Sequence, residues 1–125
     1  MPFKERRKYA RVWEAVPCRL SLGPSFLVTQ TKNLSCGGVL CQLSQPIPAM
    51  TQLDILMELP VAPSDPPSRS IRCVGVVVRQ EPQTEPEGST SYLTAIYFSE
   101  IKQEDRRHIA EFVLKSMLSH DRRRS

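Results

Sequence analysis

The chain has 125 residues, 40% of them hydrophobic, four cysteines and a formal net charge of +4. That length fits one domain with a core of its own, and the composition is ordinary for a globular protein. No apolar run approaches the roughly 18 residues of a membrane-spanning helix, and the charged first residues lack an apolar signal core, so a cytoplasmic location is expected.

The first segment, 1–11, carries five cations (Lys4, Arg6, Arg7, Lys8 and Arg11) against Glu5 and has little to bury. It reads as a flexible basic arm. The body from 12 to 119 follows. Val16, Cys18, Leu20 and Leu22 alternate with Pro17, Arg19 and Ser21 until Gly23-Pro24 breaks the run, which is a first strand. Residues 26–34 make a second strand and GVLCQL, 38–43, a third. In 52–59, Leu53, Ile55, Met57 and Leu59 share one face while Asp54 and Glu58 lie on the other. The proline-rich PVAPSDPPS then suits an exposed connector. IRCVGVVVRQ, 71–80, is a β-branched fifth strand, EPQTEPEGS a polar loop, and YLTAIYF, 92–98, a sixth strand.

The hydrophobic period then changes. Ile109, Phe112, Val113 and Met117 predict an amphipathic helix over 103–118. Glu104 and Asp105 in its first turn and Arg122–Arg124 just past its end complement the helix dipole. Residues 120–125 read as a basic tail. Six short strands at regular spacing predict a mainly β protein, an antiparallel barrel, with one C-terminal helix over an opening or one side.

The cationic surplus lies at the two ends, +4 in residues 1–11 and +2 in 121–125, against −2 for the body between them. That favours a local anion site over a broad nucleic-acid face. Aromatics are only 6%, and no strand shows an alternating Tyr/Phe platform for single-stranded nucleic acid. Cys18, Cys36, Cys41 and Cys73 form no C-x-x-C pair, so neither a zinc site nor a disulfide is expected; Cys18, Cys41 and Cys73 read as buried thiols on strands. No G-x-G-x-x-G, G-x-S-x-G or phosphate loop occurs, and neither His108 nor His120 sits in an evident triad, so no enzyme is expected.

Two motifs remain. RKYAR gives R-x-x-x-R at Arg7 and Arg11, and NLSCGG gives N-x-S-x-x-G at Asn33, Ser35 and Gly38. Followed by VGVVVR, TAIYF and a helix, they make the chain from Glu5 to about Leu118 resemble the PilZ domain, a bacterial receptor module for cyclic di-GMP. The resemblance implies a six-stranded antiparallel PilZ-type barrel with one C-terminal helix. It implies cyclic di-GMP as ligand, no further cofactor, and a downstream protein partner, with neither membrane nor nucleic acid involved.

It also implies a site. Arg7 and Arg11 would wrap over the ligand, since arginine's planar fork matches both a phosphate and guanine's O6/N7 edge. Asn33 and Ser35 would meet polar groups of guanine or phosphate, and Gly38 with Gly37 would leave room for the base. Arg79 ends the fifth strand and joins the candidates. The family motif takes Asp or Asn at position 33; the amide here matches guanine's N1–H and N2–H less well than a carboxylate. Arg6, directly before R-x-x-x-R, is associated in PilZ domains with two intercalated ligands in place of one. The alternative is a PilZ-like adaptor that works without nucleotide and uses the arm for protein docking.

Overall fold

The computed structural model describes residues 12, 14–60 and 68–124, with backbone alone at 68 and 120–124. The arm with Arg6, Arg7 and Arg11, and most of the proline-rich connector, lie outside the described residues. Six strands and a helix follow in chain order: β1 (Pro17–Leu22), β2 (Ser25–Leu34), β3 (Gly38–Leu43), β4 (Gln52–Pro60), β5 (Ser68–Thr84), β6 (Thr90–Glu100) and α1 (Gln103–Arg124). The strands close into an antiparallel barrel in the order β1-β2-β3-β6-β5-β4.

The alternation seen in the sequence is what fills this barrel. Cys18 and Leu20 from β1, Val39, Cys41 and Leu43 from β3, and Leu53, Ile55, Met57 and Leu59 from β4 all point inward and are buried. Ile71, Cys73 and Val77 of β5 meet Ile96 and Phe98 of β6 in the same core. The three strand cysteines are buried free thiols, with the Cys18 and Cys41 sulfurs 3.9 Å apart.

Several boundaries differ from the sequence expectation. β5 runs on to Thr84 through Pro82, which the sequence places in a loop. The β4 ladder stops at Gln52–Val76, whereas the β5–β6 pairing begins at Val74 and continues to Thr84, so from Arg79 onward β5 is paired with β6 alone. On such an outer strand a proline's missing N–H costs little. The hairpin then turns at Glu85–Ser89, closed by Glu85 N–H to Ser89 O at 2.8 Å. The helix continues to Arg124, so Arg122–Arg124 lie in its last turn and not beyond it. Its first half seats on the barrel through Ile109 and Val113, with Phe112 partly buried. Met117, expected on the core face, is exposed together with Leu114 and Leu118.

Candidate ligand-binding site

Position 33 owes its placement to an irregularity. Along β2 the odd-numbered Leu27, Thr29 and Thr31 share the barrel's inner side with Leu20, Cys18 and Cys41, their partners in the ladders. Continued regularly, Asn33 would face the core. The β2–β3 register shifts between Thr31 and Asn33, so Asn33 pairs with Leu40 on the outer face and Leu34 turns inward against Val39. A one-residue slip moves a side chain to the other face of a sheet, and a bulge is how a strand makes that slip locally.

A second irregularity does the same for Arg79. Ile71, Cys73, Gly75 and Val77 face the core, and regular pairing would send Arg79 inward. The β5–β6 register shifts between Val77 and Arg79, so Arg79 pairs with Ala95 on the outside. Beyond the shift Gln80 faces the barrel, where its amide donates to Thr94 Oγ1 at 2.9 Å and its carbonyl accepts from Ile47 N–H at 3.0 Å. Asn33, Leu40, Ala95 and Arg79 thereby form one row across four neighbouring strands. At about 4.8 Å per strand the row spans about 14 Å. Arg79 is exposed, and its guanidinium lies 4.0 Å from the Glu81 carboxylate, a surface contact that holds it weakly.

Between β2 and β3 the motif makes a tight turn. Ser35 N–H donates to Gly38 O at 3.0 Å, and Ser35 Oγ accepts from Gly37 N–H at 3.1 Å. The Ser35 hydroxyl donates to Gly38 O at a long 3.4 Å, so its proton is weakly held and free to turn toward a better acceptor. Gly37 O accepts from Phe98 N–H at 2.9 Å, which ties the turn to β6. Gly38 has no left-handed φ. A Cβ on it would stand 2.2 Å from Ile96 O and 3.3 Å from Tyr97 Cα, so close approach of β3 to β6 already requires glycine there. Asn33 and Ser35 are both buried, at 3% and 6% exposure.

The chain entering the barrel runs along this motif. Val12 and Leu34 exchange both backbone hydrogen bonds at 3.0 Å. Four residues on, Val16 O accepts from Thr31 N–H at 3.0 Å, and Val16 N–H donates to Thr31 Oγ1, also at 3.0 Å. The Thr31 hydroxyl in turn donates to Glu14 O. Val12, Glu14 and Val16 thus carry hydrogen bonding with β2 up to the motif. Arg11 is one peptide bond from the Val12–Leu34 bridge.

One participant escaped the sequence reading. Arg106, in the first turn of α1, donates to Cys36 O at 2.9 Å, while the Cys36 thiol points to Arg106 O at 3.7 Å. The helix is latched to the motif turn by this pair. Arg106 precedes Ile109 by three and Val113 by seven, a cation on the core-facing stripe; that was the signal available. Burial pushes the Cys36 thiol above its ordinary pKa, against the pull of Arg106, so nothing here activates it as a thiolate.

The PilZ domain profile matches residues 5–115, which include R-x-x-x-R, the motif turn and most of the helix. The chain belongs to the PilZ domain family. Among solved structures it is similar to the Bacillus subtilis inhibitor of motility MotI/DgrA, at 22% identity and a TM-score of 0.76 over 93% of this chain and 53% of that one. The MrkH–c-di-GMP complex from K. pneumonia matches at 19% identity and TM-score 0.75, over 96% of this chain and 55% of that one. The PilZ domain of YcgR with c-di-GMP from Escherichia coli matches at 14% identity and TM-score 0.67, over 95% and 97%. The chain therefore spans about half the length of MotI and MrkH and nearly all of the YcgR domain. A search of curated proteins found no match.

The PilZ barrel brings Asn33, Ser35, Gly37 and Gly38 to one edge of its outer face and puts Arg79 in line with Asn33 across that face. A shallow groove of about 720 Å³, lined by Arg19, Asp54 and Arg72 among others, opens on the β1/β4/β5 wall, away from these residues. No described helix is long and apolar enough to cross a membrane.

Proposed function

We propose that this chain is a receptor for cyclic di-GMP. The ligand lies against the outer face at Asn33, Ser35, Gly37 and Gly38, and Arg7 and Arg11 close over it. The Val12–Leu34 bridge carries this reading: it ties the residue after R-x-x-x-R to the middle of N-x-S-x-x-G, so two motifs about twenty residues apart in sequence become one neighbourhood. The arginine forks supply charge-assisted bonds to phosphate and guanine. The Ser35 proton can leave its long bond to Gly38 O for a phosphate oxygen, and Asn33 meets a guanine edge. Similarity to c-di-GMP complexes of MrkH and YcgR supports the same ligand.

On this reading the protein is a cytoplasmic, non-enzymatic module. The arm orders on binding, and the changed surface passes the signal to a partner protein. Arg6 adds a third guanidinium, suited to two stacked ligands whose four phosphate charges need offsetting. Arg79 offers a further fork at the far end of the Asn33 row.

Calorimetric titration with cyclic di-GMP tests the reading, with GTP and a short oligonucleotide as controls. Saturable binding of cyclic di-GMP alone is expected, together with slowed amide exchange at Arg6–Arg11. No binding would leave the nucleotide-independent adaptor. Equal exchange with and without ligand would mean a preformed arm.

A further inference from the structure

The outer wall beside the motif turn is less polar than a solvent-facing sheet normally is. Tyr97 and Val78 are 56% and 52% exposed there. The register shows how they are grouped. Gly38 of β3 lies directly opposite Tyr97 of β6, and Tyr97 lies opposite Val76 of β5. The adjoining row is Asn33, Leu40, Ala95 and Arg79. The β1/β4 wall on the far side shows Arg19, Ser21, Asp54 and Glu58 at its outward positions, with Leu56 among them.

Tyr97 is thus a broad, accessible ring with bare backbone for its neighbour on the motif side, because residue 38 has no side chain. Leu40 and Ala95 continue the low surface on one flank. Arg79 is the diagonal neighbour across β5, set there by the bulge at Val78. A flat heterocycle that enters past the motif turn meets the Tyr97 ring on one side, with Asn33 and Ser35, buried in the free chain, beside its edge.

We propose that Tyr97 is the stacking platform for a guanine of cyclic di-GMP. This rests on the reading above and gives it a residue that neither motif contains. The ring supplies contact area with few rotatable bonds to freeze, and stacking on an aromatic side chain does not depend on which base is present. Tyr97 therefore sets affinity, while Asn33 and the arginines choose guanine.

The test is titration of the native chain, Tyr97→Phe and Tyr97→Leu with cyclic di-GMP, followed by calorimetry and by proton NMR of the tyrosine rings. Tyr97 is more than half exposed, so all three proteins are expected to fold, and their unfolding curves verify it. Phe keeps the ring and should bind within about twofold of native. Leu should bind about 5- to 150-fold more weakly. In the native protein the Tyr97 ring protons, assigned by their loss in Tyr97→Phe, should move upfield and saturate with the calorimetric isotherm. Native binding with unchanged affinity in Tyr97→Leu and unmoved ring protons overturns the stacking role and leaves the receptor reading in place. A native chain that binds no cyclic di-GMP rejects both.

Discussion

Replacing Gly38 by alanine separates a glycine kept for the sheet from one kept for a ligand. The added Cβ would lie 2.2 Å from Ile96 O, 3.2 Å from Ile96 C and 3.3 Å from Tyr97 Cα, all backbone atoms of a paired strand. No side chain can swing away. Restoring an ordinary contact to the oxygen means parting β3 from β6 by about 1 Å, which takes hydrogen bonds of 2.9–3.0 Å beyond their useful range. Those at risk include Phe98 N–H to Gly37 O at 2.9 Å and the neighbouring bonds of the β3–β6 ladder. Two or three weakened bonds at about 1 kcal/mol each, plus residual overpacking, give a loss of about 3 kcal/mol. For a domain of this size that lowers Tm by about 10–15 °C. Thermal unfolding followed by circular dichroism reads it. Gly88→Ala is the control: its φ of 103° strains a side chain, but nothing stands within 4 Å, so a loss of about 1–2 kcal/mol is expected. A Gly38→Ala protein with native Tm and no ligand binding would mean that the glycine serves the ligand alone. Native Tm with native binding would refute the close approach of β3 to β6.

Four further outcomes are expected. Arg7→Ala and Arg11→Ala should each keep the native Tm and lose tenfold or more in cyclic di-GMP affinity by calorimetry, since each removes charge-assisted bonds worth about 1.5–3 kcal/mol. Asn33→Asp should bind at least as tightly as native, through two acceptors on guanine's donor edge, while its free form loses Tm because the new charge occupies a position 3% exposed; elimination of binding would place position 33 against phosphate. Arg6→Leu should bind one ligand per chain where the native chain binds two, read by calorimetric stoichiometry at matched salt; a native value of one rejects the paired ligand, and two in the mutant clears Arg6. Burial pushes the Cys73 thiol up to about 12 from an ordinary 9.0, so the unfolded chain loses this proton first as pH rises. Its contribution is whole below pH 9 and drains between about 9 and 12, and Cys73→Ala should flatten the alkaline fall of stability over that window.

Local pattern was enough for much of this protein. Strict alternation in 52–59 marks a half-buried strand because side chains there repeat every second residue, and Leu53, Ile55, Met57 and Leu59 are buried accordingly. The change to a 3.6-residue period located the helix, and arginine and glycine placed at motif spacing pointed to the family. What pattern could not carry was set by partners distant in the chain. Asn33 and Arg79 reach the outer face because β2 and β5 each slip by one residue, and a slip exists only relative to the strand alongside. The same holds for Pro82, tolerated in β5 because β4 has already ended, and for Gly38, required by a carbonyl nearly sixty residues away. Met117 fits the helical stripe but lies exposed, since only the first half of α1 has barrel beneath it. Arg106 finds Cys36 seventy residues back. Periodicity is a property of neighbours in sequence, whereas register, edges and close approach are properties of neighbours in space, and those decided where the site's side chains face.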